Sequence, residues 1–144
     1  MSKTAAVLFT VAGVSLSMAP PADAAPITRS FSVAVYNAGQ ARAHVDGIIN
    51  WTGPQTYSIP HAFLRDTSCD GHTVHFRLVM NGKWKGPERE NRDGCNTTKI
   101  FSRISASSEE QMFYIRYVEV QVCRNELRDT CAAKRYWNPH LSES

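Results

Sequence analysis

Most of the signatures that announce chemistry are missing from this 144-residue chain. It has no G-x-S-x-G nucleophile elbow, no H-E-x-x-H zinc helix and no phosphate-binding P-loop. The four cysteines never adopt C-x-x-C spacing, which removes the usual zinc and dithiol redox signatures. A stripe of one charge is also absent. Lys83, Lys85, Arg89 and Arg92 are interleaved with Glu88, Glu90 and Asp93, whereas a nucleic-acid groove is lined by one sign, so no nucleic-acid partner is expected. Glu109 and Glu110 are sequence neighbours in a turn, not the opposed carboxylates that cleave a glycosidic bond. There is no internal repeat and no low-complexity tract. The longest apolar run, Ala5–Met18, is shorter than the roughly 20 residues a spanning helix needs, so no membrane span is expected.

That run reads instead as the core of an export signal. Lys3 precedes it, and a proline-bearing stretch after it ends in Ala22-Asp23-Ala24, the small-x-small pattern a signal peptidase accepts. Cleavage after Ala24 divides the chain into a signal peptide, residues 1–24, and a secreted domain, residues 25–144. Loss of Lys3 and Asp23 removes one charge of each sign, so the net charge stays at +3. All four cysteines, Cys69, Cys95, Cys123 and Cys131, lie in the secreted part. An even number in an exported chain reads as a disulfide framework, not as metal ligands or a catalytic thiol. Of three possible connectivities we favour Cys69–Cys95 with Cys123–Cys131, because each pair brackets a polar, turn-rich segment.

The secreted part reads as strands. Phe31–Tyr36 alternates and stops at the turn signal Asn37-Ala38-Gly39. Ala41, Ala43, Val45, Gly47, Ile49 and Trp51 share one face of the next strand, with Arg42, His44, Asp46 and Asn50 on the other. Tyr57–Ile59 is a short strand expected to end before Pro60, leaving His61 in a loop. Thr73–Met80 alternates into Asn81-Gly82, the strongest short-range hairpin signal. Lys83–Gly94 reads as a polar loop. In Lys99–Ser105, Ile100 and Ile104 lie opposite Phe101 and Arg103. Phe113–Cys123 is the longest strand, central because both faces are apolar. Lys134–Trp137 returns as an edge strand. The expectation is a single all-β, antiparallel, sandwich-like domain with two disulfides.

Candidate site residues are few. His44 and Asp46 share a strand face and are the one spaced pair suited to acid–base or metal chemistry, although an amphipathic strand places polar residues there anyway. His72 and His75, three apart, fall on opposite strand faces. Asp66 to Gly71 is a turn lacking the alternating carboxylates of a calcium loop. No catalytic residue, metal site or cofactor is expected. The aromatics say more. Trp51 and Tyr117 belong in the core by strand parity, whereas Trp84 and the pair Tyr136-Trp137 lie in charged segments. Trp, Tyr and Arg carry most of the binding energy at protein interfaces.

Tyr114-Ile115-Arg116, Val122-Cys123-Arg124, Asp129-Thr130-Cys131 and Asn138-Pro139, behind a signal peptide, resemble small secreted four-cysteine β proteins of actinobacteria. Some of these are similar to the adaptor subunits of umbrella toxin particles, which join a lectin-like subunit to the stalk of a large toxin chain. The resemblance spans the C-terminal part and carries over no site residue. It implies a non-catalytic adaptor whose partners are other secreted proteins, a larger toxin chain and a lectin-like subunit. The alternative is a secreted protease or amylase inhibitor that presents the loop between Cys123 and Cys131, with Arg124 or Arg128 as its specificity residue. A small hydrolase using His44 and Asp46 is a third reading.

Overall fold

The computed structural model describes residues 25–109, 112–126 and 130–141. Residues 1–24, the segment expected to be an export signal, and Glu110 and Arg128 lie outside the described residues. The described chain is all-β and forms two antiparallel sheets. The first contains β1 (Ile27–Asn37), β2 (Gln40–Trp51), β3 (Thr56–Asp66) and β7 (Thr98–Ser107), in the order β1-β2-β3-β7. The second contains β4 (Val74–Met80), β5 (Trp84–Lys85), β6 (Arg89–Asn91), β8 (Tyr117–Arg124) and β9 (Thr130–Trp137), in the order β5-β4-β8-β9 with β6 also on β4.

Alternation buries one face of each sheet against the other. Phe31, Val33, Val35, Val45, Ile49, Trp51 and Leu64 come from the first sheet, and Val74, Phe76, Val118, Val120 and Val122 from the second. Two turns close hairpins on residues that accept positive φ: Ala38-Gly39 between β1 and β2, and Asn81-Gly82 between β4 and β5. The disulfides pair as the spacing suggested, Cys69–Cys95 and Cys123–Cys131.

Four sequence expectations are corrected. β3 does not stop at Pro60 but continues through it to Asp66, so His61 is a strand residue. Proline is tolerated because the β2–β3 register shifts there: Gly47 pairs with Ala62 and Asn50 with Ser58, leaving one extra residue in β3. Directly across from this point in β7, Arg103 has φ +57. That break brings Phe101 and Ile104, three apart, to the core side and turns Ile100 outward, where it is 57% exposed. Lys83–Gly94 is not wholly a loop, because β5 and β6 both pair with β4. Finally, the strand expected from Phe113 begins only at Tyr117. The Asn81 side chain takes the preceding backbone groups: its amide donates to the Tyr114 carbonyl, and its oxygen accepts from the N–H groups of Arg116 and Tyr117.

The end of the described chain folds back on the first sheet. The buried Asn138 amide donates to the carbonyls of Gly53 and Ile115, and His140 Nε2 lies 2.9 Å from the Trp51 carbonyl. Trp51 is also the strand partner of Ile27, so both ends of the described chain meet beside one residue.

Candidate functional site

Strand parity decides what the candidate aromatics can do. Tyr136 and Trp137 are consecutive in β9, so they point to opposite sides of the sheet. Tyr136 turns inward across the open side of the sandwich. Its ring meets Phe31 edge-on, and its hydroxyl accepts the Ser32 N–H at 3.0 Å and donates to the Ser32 carbonyl at 3.1 Å. It is a tie between the two sheets. Trp84 is half-buried and stacks on Phe113 at 4.0 Å between ring centroids, with Lys83 Nζ 5.0 Å from the indole centroid.

Trp137 is the residue left facing solvent, at 61% exposed. It packs edge-on to Tyr117, centroids 5.0 Å apart, and the Arg135 guanidinium sits 4.8 Å from the Tyr117 ring centroid. Tyr117 is therefore a half-exposed surface residue and not a core one, which corrects the parity reading: the face it shares with Cys123 turns outward. Beneath it Gly82 leaves room for the phenol, since a Cβ there would lie 2.8 Å from the Tyr117 hydroxyl.

The surroundings of this pair are cationic. In register, Lys85, Val79, Glu119 and Arg135 form one row across the outer face, next to Tyr117 and Trp137. The only carboxylate of the row is already engaged. Glu119 accepts from Gln121 and from Arg135 Nε, at 2.6 and 3.0 Å. Hydrogen bonds from Gln121 and then Arg135 hold its carboxyl below the ordinary glutamate value. Arg77 continues the network, donating to Gln121 and to Glu88. Arg116 and Tyr114, 60% exposed, flank it on the neighbouring turn.

The other candidates form no such surface. Arg124 is 11% exposed, and its guanidinium pairs with Asp70 and Glu126, so it faces into the fold. Burial works against ionisation of Asp70, but the Ser68 hydroxyl, the His72 N–H and Arg124 together hold its carboxyl below the ordinary value. A cleft of about 360 Å³ opens beside the Cys69–Cys95 disulfide, lined by Asp66, Ser68, His72, Thr73, Asn91 and Arg92. Its buried groups serve the chain. Asp66, 2% exposed, accepts the Ser68 N–H, and Asn91 donates to the carbonyls of Leu64 and Thr97.

His44 and Asp46 do share a face, 3.5 Å apart, and a residue that sequence spacing did not single out completes the line: Ser32 Oγ lies 2.8 Å from His44 Nε2. Such an order of groups is that of an acyl-transfer relay. It sits on an open sheet face, however, where backbone N–H groups lie in the plane of the sheet and not above it. The Ser32 N–H is itself given to Tyr136. Among the described residues, the backbone of this face therefore offers no oxyanion donor, the feature such chemistry depends on most. Of the remaining histidines, His61 bonds Ser102 across β3 and β7, His75 is buried in β4 and His72 precedes that strand. No group of three potential metal ligands occurs among the described residues. Nor is any helix among them long and apolar enough to cross a membrane.

Comparison with protein-family models, curated proteins and solved structures finds no match to this chain.

Proposed function

We propose that this chain is a secreted, non-catalytic protein-interaction module, an adaptor subunit within a complex of extracellular proteins. The observation that carries the reading is the outward-facing Tyr117–Trp137 pair with Arg135, held on a two-sheet frame. Large aromatic side chains left in water beside arginine are the composition of an interface hot spot. Two disulfides suit an oxidising, extracellular setting. The resemblance of the C-terminal part to toxin-particle adaptors supports the narrower reading that the complex is an antibacterial toxin assembly with a large toxin chain and a lectin-like subunit.

The test is capture of the tagged protein from culture supernatant, followed by mass spectrometry. Larger secreted chains should co-elute in stoichiometric amount, and a Trp137→Ala variant should recover far less of them. Elution alone under every growth condition would end the adaptor reading. The inhibitor alternative rests on Arg128, since Arg124 is spent on Asp70 and Glu126. Inhibition of a trypsin-like protease or an amylase at stoichiometric concentration would favour it instead.

A further inference from the structure

The outer edge of β9 has a hydrogen-bonding pattern that can be read residue by residue. In an antiparallel ladder, pairs that exchange N–H···O bonds alternate with close pairs that do not, whose backbone groups point away from the partner strand. The Asn138 N–H donates to the Arg116 carbonyl, which marks 116 and 138 as a bonded pair. Two residues at a time from there, the β8–β9 register makes Val118–Tyr136, Val120–Lys134 and Val122–Ala132 bonded pairs. The intervening pairs, Tyr117–Trp137, Glu119–Arg135, Gln121–Ala133 and Cys123–Cys131, are then the close ones. The 4.1 Å Cα–Cα distance of Cys123 and Cys131 agrees. Cys131, Ala133, Arg135 and Trp137 therefore direct their N–H and C=O groups away from the sheet, and all four residues are exposed.

Such an edge is a template for strand addition unless it is protected. β9 has no proline and no bulge in its register with β8. At β1, the other edge on this side of the sandwich, the Ser32 amide and carbonyl are occupied by Tyr136. We infer that the free edge of β9 binds an extended, acidic segment of a partner protein by β-strand addition. The added strand pairs with the backbone of Cys131, Ala133, Arg135 and Trp137. Its carboxylates meet Lys134 and Arg135, and an apolar side chain lies against Trp137. Charge selects this occupant. A second copy of the chain would bring another Lys134-Arg135 pair into the same ladder, and like charges across strands are unfavourable. Glu119, the carboxylate of that row, is already saturated by Gln121 and Arg135.

The inference rests on the interaction-module reading and has a separate test. Ala133 directs its N–H into solvent, so Ala133→Pro removes a docking donor and blocks the edge without breaking a β8–β9 bond. The probe is a fluorescein-labelled peptide repeating Tyr-Val-Glu-Glu, which sets Tyr against Trp137 and a Glu against each of Arg135 and Lys134 on their opposite faces. A Lys-for-Glu counterpart is the control, both read by fluorescence anisotropy on the oxidised protein. The acidic peptide should bind at least ten-fold more tightly than the basic one. Ala133→Pro and Lys134→Glu should each weaken it ten-fold or more with melting temperatures kept within a few degrees. On binding, the amides of Cys131, Ala133, Arg135 and Trp137 should gain protection from hydrogen exchange. Equal binding of the two peptides, no binding at millimolar peptide, or binding unchanged in a natively melting Ala133→Pro overturns the inference. If Ala133→Pro still captures the natural partner from supernatant, strand addition fails while the module reading stands.

Discussion

Gly47 shows how narrow the tolerances are at single residues. A Cβ there would sit 2.6 Å from the His61 carbonyl oxygen and 2.7 Å from the Phe31 ring, neither of which can retreat without moving a strand or the core. Gly47→Ala should cost about 1–3 kcal/mol, the range for overpacking a closed site, seen as a lower urea midpoint with unchanged slope. Asp66 carries the pH dependence of the cleft. Burial first, with Asp70 adding to it, raises its carboxyl above the ordinary aspartate value, against the Ser68 N–H and Arg124, which lower it. Because the folded state then binds the proton more tightly than the unfolded one, Asp66's contribution is most favourable in acid. It is lost as pH rises through its folded pKa. Asp66→Asn should therefore raise the urea midpoint at pH 7, and the advantage should shrink toward pH 3. Glu119 has the opposite sign: its lowered carboxyl stabilises at neutral pH and loses that contribution in acid. Tyr57, pushed up to about 12 mainly by burial, should remain a phenol until the protein unfolds in base, which its ultraviolet titration would report.

At the scale of elements, the β4–β5 hairpin depends on Asn81, whose side chain also fixes where β8 begins. Asn81→Ala should cost about 1–3 kcal/mol for the amide and carbonyl groups left unpaired. Tyr117 and Trp137 should lose their fixed packing, visible as a weaker near-ultraviolet dichroism. Replacing both cysteines of one disulfide should cost about 2.5 kcal/mol for Cys123–Cys131 and about 3.5 for Cys69–Cys95, because the latter closes the longer loop. Differential melting of the two double variants would rank them. β1, β2 and β4 were legible because alternation, a turn signal and burial agree in each. The failures have a common origin. At Pro60 an extra residue against β2, and at Arg103 across from it a positive φ, change which parity faces the core, and alternation carries no mark of either. β5 and β6 are too short to show any period and form because β4 offers them an edge.

For the molecule as a whole, the all-β class and both disulfides could be read from the chain, but the pairing of strands into sheets could not. Nothing in residues 98–107 announces that β7 crosses back to join β3. That non-local choice also sets which candidate residues share a surface. The sequence named Trp84, Tyr136 and Trp137 together; the fold sends Tyr136 inward as a tie, stacks Trp84 on Phe113 and leaves Trp137 to pair with Tyr117. The meeting of Ile27 and His140 beside Trp51 has a topological consequence. A short linker could join Ile27 to His140 at that pole and the chain be reopened at the exposed Ala38-Gly39 turn, since ends that lie side by side are what make circular permutation tolerable.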